Sequence, residues 1–239
     1  MDHGRRLYAD LGNRRLKLRA ADAGWAASFT WREATELQAL VTWLQEQGIT
    51  ELRLASSSAK GLEQVTAVLP DSVGCRVLAP EQVPLTITTT GTGMDRLLAS
   101  WFAWQQTGSA VLIADCGTAF TLDLTDADGR FLGGAIGAGL GLQQKALAQA
   151  CPHLAAADPN AAATVPVDTA GAVAAGTYRA FAKALQGLAA EFESELDCAP
   201  QRFLTGGDAQ ALQELLPDWR VCENMVLGAL LALPEDVWA

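Results

Sequence analysis

The chain has 239 residues, half of them hydrophobic and 18% charged, with a net charge of −10. That length can bury a full core without disulfide or metal staples, and the acidic balance argues against nucleic acid or an anionic membrane as partner, because both recruit clustered Lys and Arg. Five cysteines (75, 116, 151, 198 and 222) without Cys-x-x-Cys spacing, and only His3 and His153 beside them, argue against a structural zinc site and for free thiols in a reducing cytoplasm. The run from Met1 to Arg6 leads into too short an apolar stretch for a secretory signal, and no segment reaches the ~18 apolar residues of a membrane span.

Leu7-Tyr8-Ala9 reads as a buried strand ending at the turn Asp10-Leu11-Gly12-Asn13. Leu16 to Ala20 alternates as a half-exposed strand, and Ser28 to Trp31 reads as a third, so two antiparallel hairpins open the chain. Apolar Leu37, Leu40, Val41 and Leu44 predict a helix over Glu33 to Gln47, stopped by Gly48. A strand (Glu51 to Ala55), a helix (Leu62 to Leu69) and a short strand (Arg76 to Leu78) follow. Pro80 to Gly93 reads as a loop, and Met94 to Gln106 as a helix.

The opening pattern then repeats about 105 residues on. A strand from Ala110 to Ala114 ends at Asp115-Cys116-Gly117-Thr118; Phe120 to Leu124 and Arg130 to Ile136 are further strands about a hairpin turn at Asp126 to Gly129. A helix from Leu140 to Ala150 precedes an Ala-rich connection, Pro152 to Pro166. Asp168 is placed to cap a long helix reaching about Leu196. Arg202 to Thr205 is a strand, Gly206-Gly207 a turn, Asp208 the cap of another helix, and Asn224 to Leu233 the last helix. This organisation predicts two α/β lobes of like topology, residues 1–107 and 108–239.

A glycine directly after a strand lets backbone N–H groups approach a phosphate, and Asn or Thr beside it adds a side-chain donor. The preceding Asp suits a cation that bridges to a nucleotide. One Asp-x-Gly is a common tight turn; two, each ending a buried strand and starting a hairpin, point to nucleotide phosphate. In Gly91-Thr92-Gly93-Met94-Asp95-Arg96, Asp95 falls in the first helical turn, as a helix-start carboxylate or as a general base, with Arg96 for a substrate anion. Thr205-Gly206-Gly207-Asp208 is a third glycine turn, either lying along the nucleotide or an ordinary strand–helix turn. The chain has no Gly-x-Gly-x-x-Gly, no Gly-x-x-x-x-Gly-Lys-(Ser/Thr) and no Gly-x-Ser-x-Gly, which sets aside dinucleotide folds, P-loop kinases and serine hydrolases.

In order, these stretches resemble the type III pantothenate kinases of the acetate and sugar kinase, Hsp70 and actin superfamily. The matching residues are Asp10-Leu11-Gly12-Asn13-Arg14-Arg15-Leu16-Lys17, Gly93-Met94-Asp95-Arg96, Asp115-Cys116-Gly117-Thr118-Ala119-Phe120-Thr121 with Asp123 following, Gly133-Gly134, Asp168-Thr169 with Gly176 downstream, and Thr205 to Asp208. Arg14 stands where the family has Thr or Ser, Thr86 and Thr89 where it commonly has Tyr and Pro, and Ala138 where it has Pro.

The resemblance implies two ribonuclease H-like lobes with the active site in the cleft between them. It implies ATP-dependent phosphorylation of pantothenate to 4'-phosphopantothenate, the first step of coenzyme A synthesis, with Mg2+ accompanying ATP. Asp95 is then the proton acceptor, and Gly93, Met94, Asp95, Arg96 and Thr169 bind pantothenate, Thr169 from the partner subunit of a homodimer. Asp10 to Lys17 and Thr118 contact ATP, and Asp115 holds a monovalent cation, K+ or NH4+. The alternatives are a regulatory or accessory nucleotide-binding member of the family and a kinase for another small hydroxy acid or sugar.

Overall fold

A computed structural model of the chain describes residues 5–20, 26–154 and 164–238. The N-terminal residues 1–4, and most of the connection expected over Pro152 to Pro166, lie outside the described residues. In chain order the strands are β1 (Arg5–Leu11), β2 (Leu16–Ala20), β3 (Ala26–Phe29), β4 (Ile49–Ser56), β5 (Gly74–Val77) and β6 (Thr86–Ile87). They continue as β7 (Val111–Cys116), β8 (Ala119–Thr125), β9 (Arg130–Ala138), β10 (Gln201–Thr205) and β11 (Arg220–Val221). The helices are α1 (Ala34–Glu46), α2 (Ala59–Val68), α3 (Met94–Thr107), α4 (Leu140–Ala150), α5 (Thr169–Ala174), α6 (Ala180–Glu193), α7 (Ala209–Leu212) and α8 (Met225–Ala232).

The chain divides into two compact units, one of residues 1–85, 90–102 and 225–239, the other of 86–89 and 103–224. The first holds a five-stranded sheet in the order β3-β2-β1-β4-β5. β1, β2 and β3 pair antiparallel, while β4 and β5 pair parallel. The second holds a six-stranded sheet, β11-β10-β7-β8-β9-β6, with β7, β8 and β9 antiparallel and β10 and β11 parallel. Apart from β6, the second order is the first repeated: β7 corresponds to β1, β8 to β2, β9 to β3, β10 to β4 and β11 to β5. The two units are thus lobes of like topology, as the repeated pattern predicts, and both have the ribonuclease H-like order that the resemblance implies.

Each sheet buries one face in its own core. Leu7, Ala9, Leu11, Leu16, Leu18, Leu52 and Leu54 pack with Leu40 and Leu44 of α1 in the first unit. Leu112, Ala114, Cys116, Leu122 and Leu124 pack with Leu140 and with Phe181 and Leu185 of α6 in the second. The alternate residues of β7 and β8, among them Asp115, Thr121 and Asp123, take the opposite face, where site chemistry is free to sit.

Several boundaries differ from the sequence expectation for identifiable reasons. The segment expected as a loop from Pro80 to Gly93 contains β6, paired parallel to β9 through Thr86 N–H to Gly129 O at 3.0 Å. Two residues beside Pro84 carry no periodicity, so that strand was invisible. α2 starts at Ala59 rather than Leu62, because Ser58 accepts the Gly61 N–H at 3.1 Å and caps it. Asp168 does cap its helix, accepting from Gly171 N at 2.7 Å. That helix is broken by a π-turn at Ala175–Arg179 and ends at Glu193. Asp208 makes no side-chain cap; its Oδ2 accepts instead from Gly141 N at 3.3 Å.

The chain's last turn returns to the first sheet. Arg53 of β4, only 3% exposed, donates to both carboxylate oxygens of Glu235 at 3.0 and 2.7 Å and to Glu51 at 3.2 Å. Trp238 is buried, edge-on to Tyr8, with its carbonyl accepting from Arg76. Burial alone would raise the Glu51 carboxyl, but hydrogen bonds from Arg6 and Arg53 outweigh it and hold the group below its ordinary value of 4.5. A lowered folded-state value stabilises above the ordinary value and loses that contribution as pH falls through the folded one. We therefore expect Tm to fall as pH drops below about 4.5, and Glu51→Gln to make that acid slope shallower in thermal denaturation against pH. Parallel slopes in the two proteins would remove Glu51 from the acid response.

Candidate active site

The first glycine turn is a tight hairpin between β1 and β2. Gly12 N–H donates to Arg15 O at 3.0 Å, and the register sets Asp10 directly opposite Lys17 and Leu11 opposite Leu16. Leu11 and Leu16 are fully buried, so alternation turns Asp10 and Lys17 to the other face. Asn13, Arg14, Arg15 and Lys17 are exposed. Three cations thus stand within four residues on a chain whose net charge is −10.

The second turn occupies the equivalent place in the second sheet, with a different electrostatic character. Asp115 is penultimate in β7, as Asp10 is in β1, but its cross-strand partner is Thr121 rather than a lysine. Thr121 Oγ1 donates to Asp123 Oδ2 at 2.8 Å, and Asp123 is 2% exposed. Gly134 lies across from Asp123, and a Cβ there would stand 2.8 Å from Asp123 Oδ1 and collide with Leu122 O. Two further glycines close around the turn. A Cβ on Gly139 would meet Gly117 O and sit 2.7 Å from Thr118 O, and Gly139 N–H donates to Thr118 O at 3.0 Å. Gly206, at φ +90°, would drive a Cβ into Asp115 Oδ1 and the Cys116 backbone. The turn at Thr205 to Asp208, whose role the sequence left open, is therefore brought against Asp115, and Asp208 N–H donates to Cys116 O at 2.9 Å.

Burial, then the charges of Asp115 and Asp208, push the Cys116 thiol up to about 12. That thiol stays protonated and packs as a small apolar side chain.

Asp95 opens α3 in the first unit. Its Oδ1 accepts the Arg96 N–H at 3.0 Å, which orients the carboxylate at the positive end of the helix. A Cβ at Gly93 would stand 2.6 Å from that same Oδ1, so the glycine makes room for the carboxylate. Met94 is buried and anchors the turn, while Asp95 and Arg96 are partly exposed. Thr169 is exposed at the first position of α5, between Asp168 and the Gly171 N–H that it caps. Val165 and Val167 just before it are 78% and 93% exposed.

The structure thus gathers Asp10, Gly12, Asn13 and Lys17 in one unit, and Asp115, Thr118, Asp123, Gly139 and Gly206 in the other. Sequence reasoning passed over three residues that pack on these turns. Trp31, expected as the end of β3, leaves the strand and donates from Nε1 to Gly12 O at 2.9 Å. Arg32 Nη2 donates to both Asn13 O and Asn13 Oδ1 at 3.0 Å. Gly139 was also missed as a residue of the site, since its contact is one of the fold and not of the local motif.

Among the described residues no group of three or more His, Cys, Asp or Glu side chains comes together to hold a metal. None of their helices is long and apolar enough to cross a membrane.

The profile of the type III pantothenate kinases matches residues 6–191 of this chain. A type III pantothenate kinase from Synechococcus elongatus is 37% identical over 205 residues, covering 82% of this chain and 81% of the relative. One from Laribacter hongkongensis is 32% identical over 240 residues, covering 95% and 97%. Among solved structures, a protein of Campylobacter jejuni assigned to the Baf family of transcriptional activators superposes with a TM-score of 0.68 at 16% identity, covering 96% of this chain and 98% of its own. The activator of 2-hydroxyisocaproyl-CoA dehydratase from Clostridium difficile, with bound ADPNP, superposes with a TM-score of 0.55 at 13% identity, covering 98% and 95%. At such identities the two structures speak to the fold alone. The profile match over most of the chain, together with relatives above 30% identity along most of its length, shows that the chain belongs to the type III pantothenate kinase family.

Proposed function

We propose that this chain transfers the γ-phosphoryl group of ATP to the hydroxyl of pantothenate, giving 4'-phosphopantothenate for coenzyme A synthesis, with the two glycine turns in unequal roles. The observation that carries the division of roles is their opposite charge. Asp10 faces Lys17 and is followed by Arg14 and Arg15, whereas Asp115 faces Thr121 with Asp123 and Asp208 nearby. A cationic turn suits polyphosphate; an acidic one, closed by glycines that let carbonyl oxygens approach, suits a cation.

In this reading Asp10, Leu11, Gly12, Asn13, Arg14, Arg15, Leu16 and Lys17 form the phosphate turn, and Thr118 is a further residue assigned to ATP. Arg14, where the family has a hydroxyl, supplies a guanidinium fork for a phosphate oxygen. Mg2+ bound with ATP would supply positive charge to the phosphates. Asp115 is suited to a monovalent cation. A single carboxylate with backbone carbonyls is a weak oxygen set, fit for K+ or NH4+ rather than for a transition metal. Asp95 accepts the proton of the attacking hydroxyl and orients it, with Oδ1 held by the Arg96 N–H. Gly93, Met94 and Arg96 complete the pantothenate site, Arg96 meeting the carboxylate.

We place Thr169 in the pantothenate site of the partner subunit in a homodimer. The neighbouring Val165 and Val167 support this, because covering two such exposed apolar side chains is favourable. A reducing cytoplasm fits the five free cysteines.

Release of ADP from ATP, with pantothenate, Mg2+ and K+ present, tests the reaction. Turnover is expected with pantothenate and several-fold less in Na+-only buffer. Equal rates in the two buffers would remove the cation role of Asp115. Protein that binds ATP without turnover would favour a regulatory role, and turnover with another acceptor alone would reassign the substrate.

A further inference from the structure

We propose that Trp31 and Arg32 are positioning residues for the first phosphate turn, fixing its backbone and turning the Asn13 amide towards the nucleotide. The inference rests on the reading of that turn as the ATP-phosphate site.

The turn has few internal bonds of its own. Gly12 N–H closes it by donating to Arg15 O, but a glycine at its tip leaves the backbone with many accessible conformations. Trp31 supplies an outside anchor. Its indole is 3% exposed in the first core and packs so closely on α2 that a Cβ at Gly61 would stand 3.0 Å from Trp31 Cε2. From that fixed ring Nε1 donates to Gly12 O at 2.9 Å. Both polar backbone atoms of Gly12 are thereby held, one by Arg15 and one by the core.

Arg32 extends the anchor by one residue. Its guanidinium lies 5.0 Å from the centroid of the Trp31 ring, a cation–π distance, and its Nη2 donates to both oxygens of Asn13. An amide presents an acceptor on one side and two donors on the other. With Oδ1 committed to Arg32, the Nδ2 donors point away from the guanidinium, the orientation an anion requires. A turn without this brace would still form its hairpin but would lose conformational freedom on binding, and the cost would fall on ATP affinity rather than on the chemical step.

The test is binding of a non-hydrolysable ATP analogue together with steady-state kinetics. Arg32 is exposed, so Arg32→Ala is expected to leave Tm nearly unchanged. It should raise the analogue Kd and the ATP KM about tenfold, with kcat and the pantothenate KM within about twofold. Arg32→Lys, which keeps the charge but not the planar fork, should fall between. Trp31→Phe, which keeps a ring and loses the Nε1 donor, should weaken ATP in the same way, and the double variant should lose less than the two single effects combined.

Unchanged ATP affinity in Arg32→Ala would overturn the proposal. So would an equal rise in the pantothenate KM, which would mean general loosening, or a loss of kcat alone. Asn13→Ala separates the two levels. If it leaves ATP affinity intact, the turn is not the phosphate site and both readings fall; if it weakens ATP while Arg32→Ala does not, only the brace falls.

Discussion

Asp95→Asn is expected to lower kcat by about a thousandfold while leaving ATP affinity within about twofold. The substitution is nearly isosteric and keeps the Oδ1 acceptor. The 3.0 Å bond from Arg96 N–H, and with it the start of α3, should therefore survive. Only the capacity to take a proton is removed. In phosphoryl transfer the base chiefly orients the nucleophile, and an amide still accepts a hydrogen bond from a hydroxyl, so part of the orientation persists. Asp95→Ala should accordingly be slower than Asp95→Asn, and the difference between them measures orientation. Both lie apart in sequence from the two glycine turns, so ATP binding serves as the internal check on folding. A kcat within about threefold of the parent in Asp95→Asn would remove Asp95 as the base.

What sequence could show was the local half of this site. A glycine following a buried strand, and an acidic residue just before it, are visible because they occupy consecutive positions, and their recurrence exposed the repeated β1-β2-β3 and β7-β8-β9 order. Asp95 and its helix were visible for the same reason, the helix through its apolar spacing and the carboxylate through its place in the first turn. Contacts made by distant segments were not visible. Nothing in Phe29-Thr30-Trp31-Arg32 announces that the indole will reach Gly12 or the guanidinium Asn13, because that pairing follows from the packing of Trp31 on Gly61. β6 was hidden because two residues give no period. Glu235 and Trp238 gave no hint of their place against Arg53, since a terminal turn has no pattern of its own. Gly206 showed as a turn residue, but the approach of Gly139 and Gly206 to the second glycine turn is a property of the sheet that carries them.

That last contact leads to the second large effect, at a residue with no side chain. Gly206→Ala is expected to destabilise the protein by about 2–4 kcal/mol and to abolish the response to K+. Two costs add at one position. Its φ of +90° is a conformation alanine rarely adopts, and the new methyl would collide with Asp115 Oδ1 and the Cys116 backbone. The backbone cannot yield, because Asp208 N–H is bonded to Cys116 O at 2.9 Å and β10 pairs with β7 residue by residue from Gln201↔Val111 to Thr205↔Asp115. The clash with the Cys116 backbone therefore stays as strain, and the clash with Oδ1 is relieved by Asp115, which turns off the face on which we place the cation. Gly207→Ala is the control: it lies one residue on, and nothing lies within 4 Å of its added Cβ. It should hold Tm within a few degrees and keep the K+ response. A Gly206→Ala protein of lowered Tm with an intact K+ response would mean that Asp115 does not hold the ion. Unaltered stability would mean that Gly206 is not packed against the second turn at all.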